Sequence, residues 1–352
     1  MEFNRVAERF QQTFEQIGDG TDMKQCSPAL DVDSVRPLRY NSGKGQGAGT
    51  DKMSASQLHD TIGLDRLRDR AVRAKRMLSN CTLCPRHCGV DRTAGELGFC
   101  GTGDLAVVAS YSPHFGEEPP LVGRWGSGTI FFCGCNLGCI FCQNYDISHL
   151  KRGSEVSCEE LAAMMLALQN RGCHNINFVT PTHVVPQILD ALVVARADGL
   201  NVPLVYNCGG YESLETLKLL DGVIDVYMPD VKYSDDAVSE ALSRAGDYWE
   251  VCRAAVKEMH RQVGDLRTDG NGVAASGLLV RHLVLPEGLA GTGAVMRFLA
   301  EEISADTYVN VMEQYRPCYR ADEDGRLARR ISVKEFAEAL DDARKHGLHR
   351  GF

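Results

Sequence analysis

The residues of this 352-residue sequence that are best suited to chemistry are its 14 cysteines, which are unevenly spaced. Cys135, Cys139 and Cys142 have the spacing C-x3-C-x2-C and follow a short apolar run. Three thiolates on one short loop can bind three irons of a [4Fe–4S] cube and leave the fourth iron open. An open iron can chelate S-adenosylmethionine (SAM), and one electron then breaks the sulfonium C–S bond. A structural zinc site and buried thiols beside a strand end are the competing interpretations.

An earlier group of thiols, Cys81, Cys84, Cys88 and Cys100, has the spacing C-x2-C-x3-C-x11-C. Four thiolates with a tight C-x2-C pair can hold an auxiliary iron–sulfur cluster or a zinc ion. They can equally be reduced thiols that pack a small N-terminal layer. The spacing leaves all three interpretations open, so this group is a candidate second metal site.

Short apolar runs alternate with helical segments after Gly128, and each helical segment connects one run to the next. This alternation predicts an α/β fold with parallel strands and crossover helices. Six such units are visible, fewer than the eight of a closed barrel, so we expect a partial (β/α)6 barrel with a Cys-rich N-terminal segment. The predicted strands are 129–134, 175–181, 202–210, 224–232, 278–286 and 307–315, and the predicted helices are 158–171, 184–198, 211–220 and 292–302.

Composition shifts along the chain divide it into four predicted regions. Residues 1–60 are rich in Gly, Ser, Asp and Lys at their end and are predicted to be a flexible extension. The Cys-rich segment is assigned to 61–127, the partial barrel to 128–320 and a C-terminal helical segment to 321–352.

The overall composition, 44% apolar and 24% charged, is typical of a globular protein. A formal net charge of −9 argues against nucleic acid as a partner. No apolar run reaches the length of a membrane span, and the N-terminus lacks the apolar core of a signal peptide. We therefore expect a cytoplasmic protein without a membrane partner. In that reducing compartment, clustered thiols more often bind metal than form disulfides.

The segment from Cys135 to Asn144, CNLGCIFCQN, resembles the cluster loop of the radical SAM superfamily. It is most similar to the branch of the pyruvate formate-lyase activating enzyme, whose loop has an aromatic residue before the last cysteine and ends in Asn. The resemblance implies that Cys135, Cys139 and Cys142 bind the cluster. It also implies that Phe141 lies beside the adenine of SAM, and that Asn144 belongs to the cofactor site.

Two later segments extend this resemblance through the predicted barrel. DVYMPDVK, which ends at Lys232, resembles the family's fourth-strand pattern, and RHLVLP, which starts at Arg281, resembles its fifth-strand pattern. The resemblance implies that Asp230, Lys232 and Arg281 line the SAM pocket, with the two cations near the SAM carboxylate. Thr180 and Asn207 stand where the family has other polar strand-end residues, and we assign both to cofactor binding.

The stretch CTLCPRHCGVDRTAGELGFCG, from Cys81 to Gly101, resembles the N-terminal segment of an uncharacterised Fe–S subgroup homologous to the activating enzyme. That subgroup carries an acidic segment before its first strand, which Glu117 and Glu118 match here. The two carboxylates are either a solvated turn or part of the mouth of the site.

Together, the loop and the resemblance predict an enzyme, a radical SAM oxidoreductase of the activating-enzyme type. Its cofactors would be a [4Fe–4S] cluster and SAM, with an auxiliary cluster or zinc at the earlier thiols. The resemblance implies reduction by a donor such as flavodoxin or ferredoxin, and hydrogen abstraction from a protein or peptide, such as a glycyl-radical enzyme. The alternatives are radical modification of a peptide or small molecule, and a noncatalytic iron–sulfur protein. No catalytic side chain beyond these ligands is assigned.

Overall fold

Six parallel strands form the centre of the structure, a computed structural model that describes residues 62–352. The predicted flexible extension, 1–60, lies outside the described residues. The parallel strands, in spatial order, are β2 (Ser127–Phe132), β4 (Ile176–Val179), β5 (Leu204–Cys208), β6 (Val226–Pro229), β8 (Ala274–Leu283) and β9 (Tyr308–Met312). Each lies within or overlaps one of the six predicted apolar runs, because strands covered on both faces are almost continuously apolar.

Three further strands are antiparallel additions to this sheet that the sequence pattern did not predict. β1 (Ala106–His114) pairs with β2, β3 (Ser154–Val156) pairs with β1, and β7 (Arg267–Thr268) pairs with β8. β1 therefore occupies the edge of β2 that a closed barrel would pair with its last strand. The described sheet is a mixed α/β sheet whose parallel part stays open.

Helices cover the outer face of the sheet. Two of the four predicted crossover helices begin at their predicted residues, 158 and 292, and the other two begin one and three residues later. The helix Cys158–Asn170 begins at Ser157, whose side chain and that of Glu160 form a reciprocal capping box. The described α-helices are α1 (Leu64–Arg76), α2 (Pro119–Val122), α3 (Tyr145–Ser148), α4 (Cys158–Asn170), α5 (Val185–Ala197), α6 (Leu214–Leu220), α7 (Asp236–Ser243), α8 (Tyr248–Val263), α9 (Thr292–Phe298) and α10 (Val333–Lys345).

The two faces of the parallel sheet bury different side chains, because successive residues of a strand point to opposite faces. On β5, Leu204 and Tyr206 join the main core under the helices, whereas Val205 joins a separate apolar cluster. That inner cluster also contains Met228 of β6, Leu279 of β8 and Leu121 of α2. Side chains from three strands therefore converge on one leucine, and Leu121 closes the floor of the concave face.

Candidate active site

The loop that carries Cys135, Cys139 and Cys142 begins directly after β2, at the carboxyl edge of the parallel sheet. Gly134, in front of the loop, has φ +83°, and a Cβ there would lie 2.7 Å from the Cys100 carbonyl oxygen. Only glycine is compatible with both that conformation and that close approach. Gly138 N–H and Ile140 N–H then donate to carbonyls at the end of α7, at 3.2 and 2.9 Å. The loop is therefore fixed at both ends.

Each of the three sulfurs lies next to at least one hydrogen-bonding group of the protein. Donors of this kind stabilise a thiolate, the form in which cysteine binds iron. The contacts are Leu137 N–H to Cys135 Sγ at 3.3 Å, Ser243 Oγ to Cys139 Sγ at 2.9 Å, and Ser148 Oγ with Cys142 Sγ at 3.1 Å.

Burial raises the pKa of Cys135 and of Cys142, and the neighbouring Cys139 raises both further. The thiols are thus close enough to repel one another as thiolates, and a bound metal centre would remove that repulsion. Within 62–352, no three His, Cys, Asp or Glu side chains converge on the position of a single metal ion. A [4Fe–4S] cube bonds each of its cysteine thiolates to a different iron, and three neighbouring thiols on one loop, each beside a hydrogen-bonding group, fit that arrangement.

Beside this loop lies a polar network formed by the strand-end residues predicted from the sequence. Asp230 accepts from Lys232 Nζ at 2.5 Å and from Arg281 Nε at 2.8 Å. Arg281 also donates to Asn207 Oδ1 at 2.8 Å, which links β5, β6 and β8. The side chains of Asp230, Lys232 and Arg281 are 15%, 19% and 20% exposed, so they border an opening.

All three charged groups of the network remain ionised at neutral pH. Burial alone would raise the pKa of Asp230, but the charges of Arg281 and Lys232 outweigh burial and hold it below its usual range. Burial would lower the pKa of Lys232, yet Asp230 and Cys139 raise it. Lys232 is therefore near the cluster loop, where its cation faces the thiols and favours an anionic ligand group between them.

The two glutamates before α2 are not a solvated turn. The Glu117 side chain is 8% exposed, and its Oε2 lies 3.9 Å from Arg281 NH1. Glu118 is 6% exposed and accepts from Asn310 Nδ2 at 2.8 Å. Burial, with the nearby Glu118 and Asp230 carboxylates, raises the pKa of Glu117 to about 7 against the opposing effect of Arg281. The structure thus places this segment beside Arg281 and not in a solvated turn.

The remaining predicted cofactor residues occupy different parts of this edge. Phe141 is buried, with its ring edge-on to those of Tyr233 and Tyr315 at 6.4 and 6.0 Å between centroids. Thr180 follows β4 in the left-handed region, with φ +59°, and its N–H donates to the Asn207 carbonyl at 2.8 Å. Asn144 is exposed at the start of α3, and the contacts of its carbonyl are with that helix.

Three of the four earlier thiols lie near one another. Burial raises the pKa of Cys84 to about 12, and Cys100 and Cys88 both contribute to that rise. Cys88 Sγ accepts from Phe99 N–H at 3.4 Å. Cys81 instead belongs to a small apolar cluster with Leu78 and Leu83. Cys88 and Cys100 are therefore within electrostatic range of Cys84, but within residues 62–352 the three thiols do not converge on the position of one metal ion.

This Cys-rich segment is anchored to the candidate site through two arginines whose role the sequence did not indicate. Arg86 donates to the Asn136 carbonyl, inside the cluster loop, at 2.8 Å, and its guanidinium lies 3.9 Å from the centre of the Phe99 ring. Arg92 is 1% exposed and donates to the carbonyls of Gly103 and His183 at 2.7 to 3.0 Å. The only sequence signal for these contacts is the position of both arginines between the cysteines.

Residues 129–268 match the Radical SAM superfamily. The chain is 33% identical over 285 residues to the uncharacterized protein MJ0674 of Methanocaldococcus jannaschii, covering 78% of this chain and 77% of that protein. It is also 22% identical over 302 residues to the uncharacterized protein MJ0808 of the same organism, covering 79% and 83%. The chain belongs to the radical SAM superfamily. Membership implies SAM cleavage at an iron–sulfur cluster, and therefore an enzyme.

Among solved structures, the chain is similar to a radical SAM methyltransferase from Sphaerobacter thermophilus, with 15% identity and a TM-score of 0.41. The match covers 63% of this chain and 65% of that one, slightly less than two thirds of its length. Separately, none of the helices within residues 62–352 combines the length and apolar character that crossing a bilayer requires.

Proposed function

We propose that the chain reductively cleaves SAM and directs the product at a C–H bond of a protein or peptide substrate. The observation that carries this proposal is the Asp230, Lys232 and Arg281 network beside the three-cysteine loop. An electron carrier needs thiols but no buried pair of cations at a strand edge. A cation pair next to an open iron suits a ligand with a carboxylate, such as the methionyl part of SAM.

The residues of this chain would act mainly by binding and positioning. Cys135, Cys139 and Cys142 would hold the cluster, which with SAM supplies one-electron C–S cleavage when both are bound. Asp230 fixes the side chains of Lys232 and Arg281, so that their remaining N–H groups are oriented before a carboxylate arrives. The buried Phe141 ring gives the site an apolar wall that excludes water from reactive species.

For the substrate we propose the activating-enzyme role, in which the hydrogen comes from a backbone glycine of a partner enzyme. The resemblance of CNLGCIFCQN to the branch of the pyruvate formate-lyase activating enzyme supports this choice. We further propose a cytoplasmic setting and an external one-electron donor such as flavodoxin or ferredoxin. A glycyl-radical signal on a candidate partner would support the activase role, and modification of a peptide or small molecule without that signal would contradict it.

Anaerobic reconstitution with iron and sulfide, followed by dithionite and SAM, tests the enzymatic proposal. We expect 5′-deoxyadenosine and methionine from the wild-type protein and from Cys173→Ala, which removes a buried packing thiol. Cys135→Ala should form neither product. A wild-type protein with a full cluster that forms no 5′-deoxyadenosine would instead be a noncatalytic iron–sulfur protein.

For the earlier thiols we propose a metal-binding role, which is supported by the C-x2-C-x3-C spacing of Cys81, Cys84 and Cys88 and by the electrostatic effect of Cys88 and Cys100 on Cys84. Iron, zinc and acid-labile sulfide should be counted on wild type, Cys84→Ala and Cys135→Ala. Loss of additional iron and sulfide from Cys84→Ala would indicate an auxiliary cluster, and loss of zinc would indicate a zinc site. Identical metal content in wild type and Cys84→Ala would leave these thiols a packing role.

A further inference from the structure

The two glutamates before α2 are held rigidly on the concave face of the sheet. Glu118 precedes the helix Pro119–Val122, and its carbonyl accepts from Leu121 N–H at 2.8 Å. Leu121 is fully buried in the inner apolar cluster with Val205 and Met228. The floor of the sheet therefore fixes the backbone from which the Glu117 and Glu118 carboxyls extend toward Arg281.

Counted over the described residues, this inner site contains more carboxyl groups than cations. Asp230, Glu117 and Glu118 face Arg281 and Lys232, and Asp230 accepts a hydrogen bond from both cations. The Glu117 carboxylate has only a 3.9 Å contact with Arg281, which exceeds hydrogen-bond length. When all three carboxyl groups are ionised, the side chains provide two positive charges for three negative ones.

Glu118 offers a second, independent sign that the site is incomplete. Its Oε1 accepts from the neutral Asn310 amide, while its buried Oε2 has no hydrogen-bond partner among the described residues. A buried carboxylate oxygen without a donor is costly, and an uncompensated buried charge is more so. Groups of this kind are retained where a ligand supplies the missing donors.

We propose that Glu117 and Glu118 form the subsite for a protonated amino group of a reactant bound above the sheet floor. An ammonium provides one positive charge and three N–H donors, which matches the Glu117 carboxylate, whose contact with Arg281 is longer than a hydrogen bond, and the Glu118 Oε2 atom, which has no hydrogen-bond partner among the described residues. This inference rests on the proposed function, because it places the subsite beside the residues assigned to SAM. The raised pKa of Glu117, about 7, agrees with a carboxylate that still lacks its cation.

Two reactants carry an amino group: SAM, whose α-amino nitrogen is a neutral amine once it chelates the open iron, and the second substrate, which is therefore the expected source of the ammonium. The first source is tested with S-adenosylhomocysteine and its analogue without the α-amino group, in equilibrium dialysis against reconstituted enzyme. Wild type, Glu117→Gln, Glu118→Gln and the exposed control Glu301→Gln are compared. If the α-ammonium binds here, Glu117→Gln weakens binding of S-adenosylhomocysteine about tenfold or more and leaves binding of the deaminated analogue unchanged within twofold.

The second source is tested with methylammonium chloride against potassium chloride at equal ionic strength, with the same four proteins. If the second substrate carries the ammonium, methylammonium raises the Tm of wild type and of Glu301→Gln but not that of Glu117→Gln. The Tm measurement does not depend on SAM binding, and the Tm of each variant without additives also reports its folding.

A positive result in either experiment supports the subsite and identifies its source. The inference is overturned if Glu117→Gln and Glu118→Gln bind both nucleosides as wild type does and show the same methylammonium response. Failure of the proposed function is a different result, namely a wild-type protein that forms no 5′-deoxyadenosine with SAM.

Discussion

Asp230 is the residue on which the charges of the candidate site depend, because both buried cations donate to it. Asp230→Asn would keep the shape and remove the charge, so that Lys232 and Arg281 face each other without their shared partner. Removing one partner of a buried ion pair costs about 3 kcal/mol or more. Since the folded-state pKa of Asp230 is lowered, its stabilising contribution is fully present at pH 7 and is lost only as pH falls below its unfolded value.

We therefore expect Asp230→Asn to lower the free energy of unfolding at pH 7 by about 3 kcal/mol, measured by urea denaturation. The exposed Asp198→Asn serves as control and should change it by less than about 0.5 kcal/mol. Equal stability of the two variants would mean that the network adds nothing to the fold.

Thr180 holds a left-handed backbone conformation, φ +59°, which is unfavourable for a β-carbon-bearing residue by roughly 1 to 2 kcal/mol. Strain of this kind is often retained at functional sites. We expect Thr180→Gly to leave the free energy of unfolding unchanged or to raise it by up to about 0.5 kcal/mol, because relief of backbone strain slightly exceeds the entropy cost of glycine. The same variant should bind SAM more weakly, since the side chain assigned to the cofactor is gone.

The matched control for that prediction is Glu287→Gly, an exposed residue with nearly the same φ, +57°, away from the assigned site. It should show a similar stability change and unchanged SAM affinity in equilibrium dialysis. A Thr180→Gly protein that binds SAM as tightly as wild type would remove Thr180 from the cofactor site.

At the scale of elements, the buried Arg92 connects the Cys-rich segment to the residues after β4 through one hydrogen bond, to the His183 carbonyl, and holds the segment itself together through two, to the Gly103 carbonyl. Its guanidinium donates three hydrogen bonds to main-chain carbonyls of Gly103 and His183. In Arg92→Met those carbonyls lose their donors. A hydrogen bond from a charged group contributes about 1.5 to 3 kcal/mol to stability, and rearrangement of the neighbouring residues recovers part of this loss.

We expect Arg92→Met to lower the free energy of unfolding by about 3 kcal/mol, with Arg68→Met, whose side chain is 54% exposed, within about 0.5 kcal/mol of wild type. Urea denaturation measures both. The carbonyl contacts would be unimportant for docking this segment if the two variants had the same midpoint.

Across the whole molecule, the parts that could be predicted from sequence are those with local signals. The six parallel strands were found because their runs are apolar throughout, and Asp230 and Arg281 because the segments around them resemble strand patterns of a known family. The helices Asp236–Ser243 and Tyr248–Val263 were not predicted, although local signals mark both: Asp235 caps the first helix by accepting from Ala237 and Val238 N–H, and Gly264 follows the second. Glu117 and Arg281 are in contact although they lie 164 positions apart in the sequence, and no local sequence pattern indicates such a contact.

Ionisation of buried groups should make stability depend on pH through opposing contributions. Burial lowers the pKa of His183 and of His282 to about 4, so both favour the folded state increasingly as pH rises toward their unfolded values. Glu212 acts in the opposite direction. Burial raises its pKa to about 7, against the hydrogen bonds donated by Thr182 and Tyr206.

The contribution of Glu212 can be isolated by comparing wild type with Glu212→Gln. Because its folded pKa exceeds the unfolded value of 4.5, Glu212 favours folding at low pH, and this contribution disappears as pH rises through about 7. Between pH 5 and pH 7, the free energy of unfolding of wild type should therefore fall by about 2 kcal/mol relative to that of the variant. The changed hydrogen bonds of the variant add a difference that is the same at both pH values and does not affect this comparison. Urea denaturation across that range measures it, with Glu301→Gln expected to follow wild type. If the free energies of unfolding of wild type and Glu212→Gln change in parallel with pH, the ionisation of Glu212 does not change on folding in this range, which would contradict the prediction.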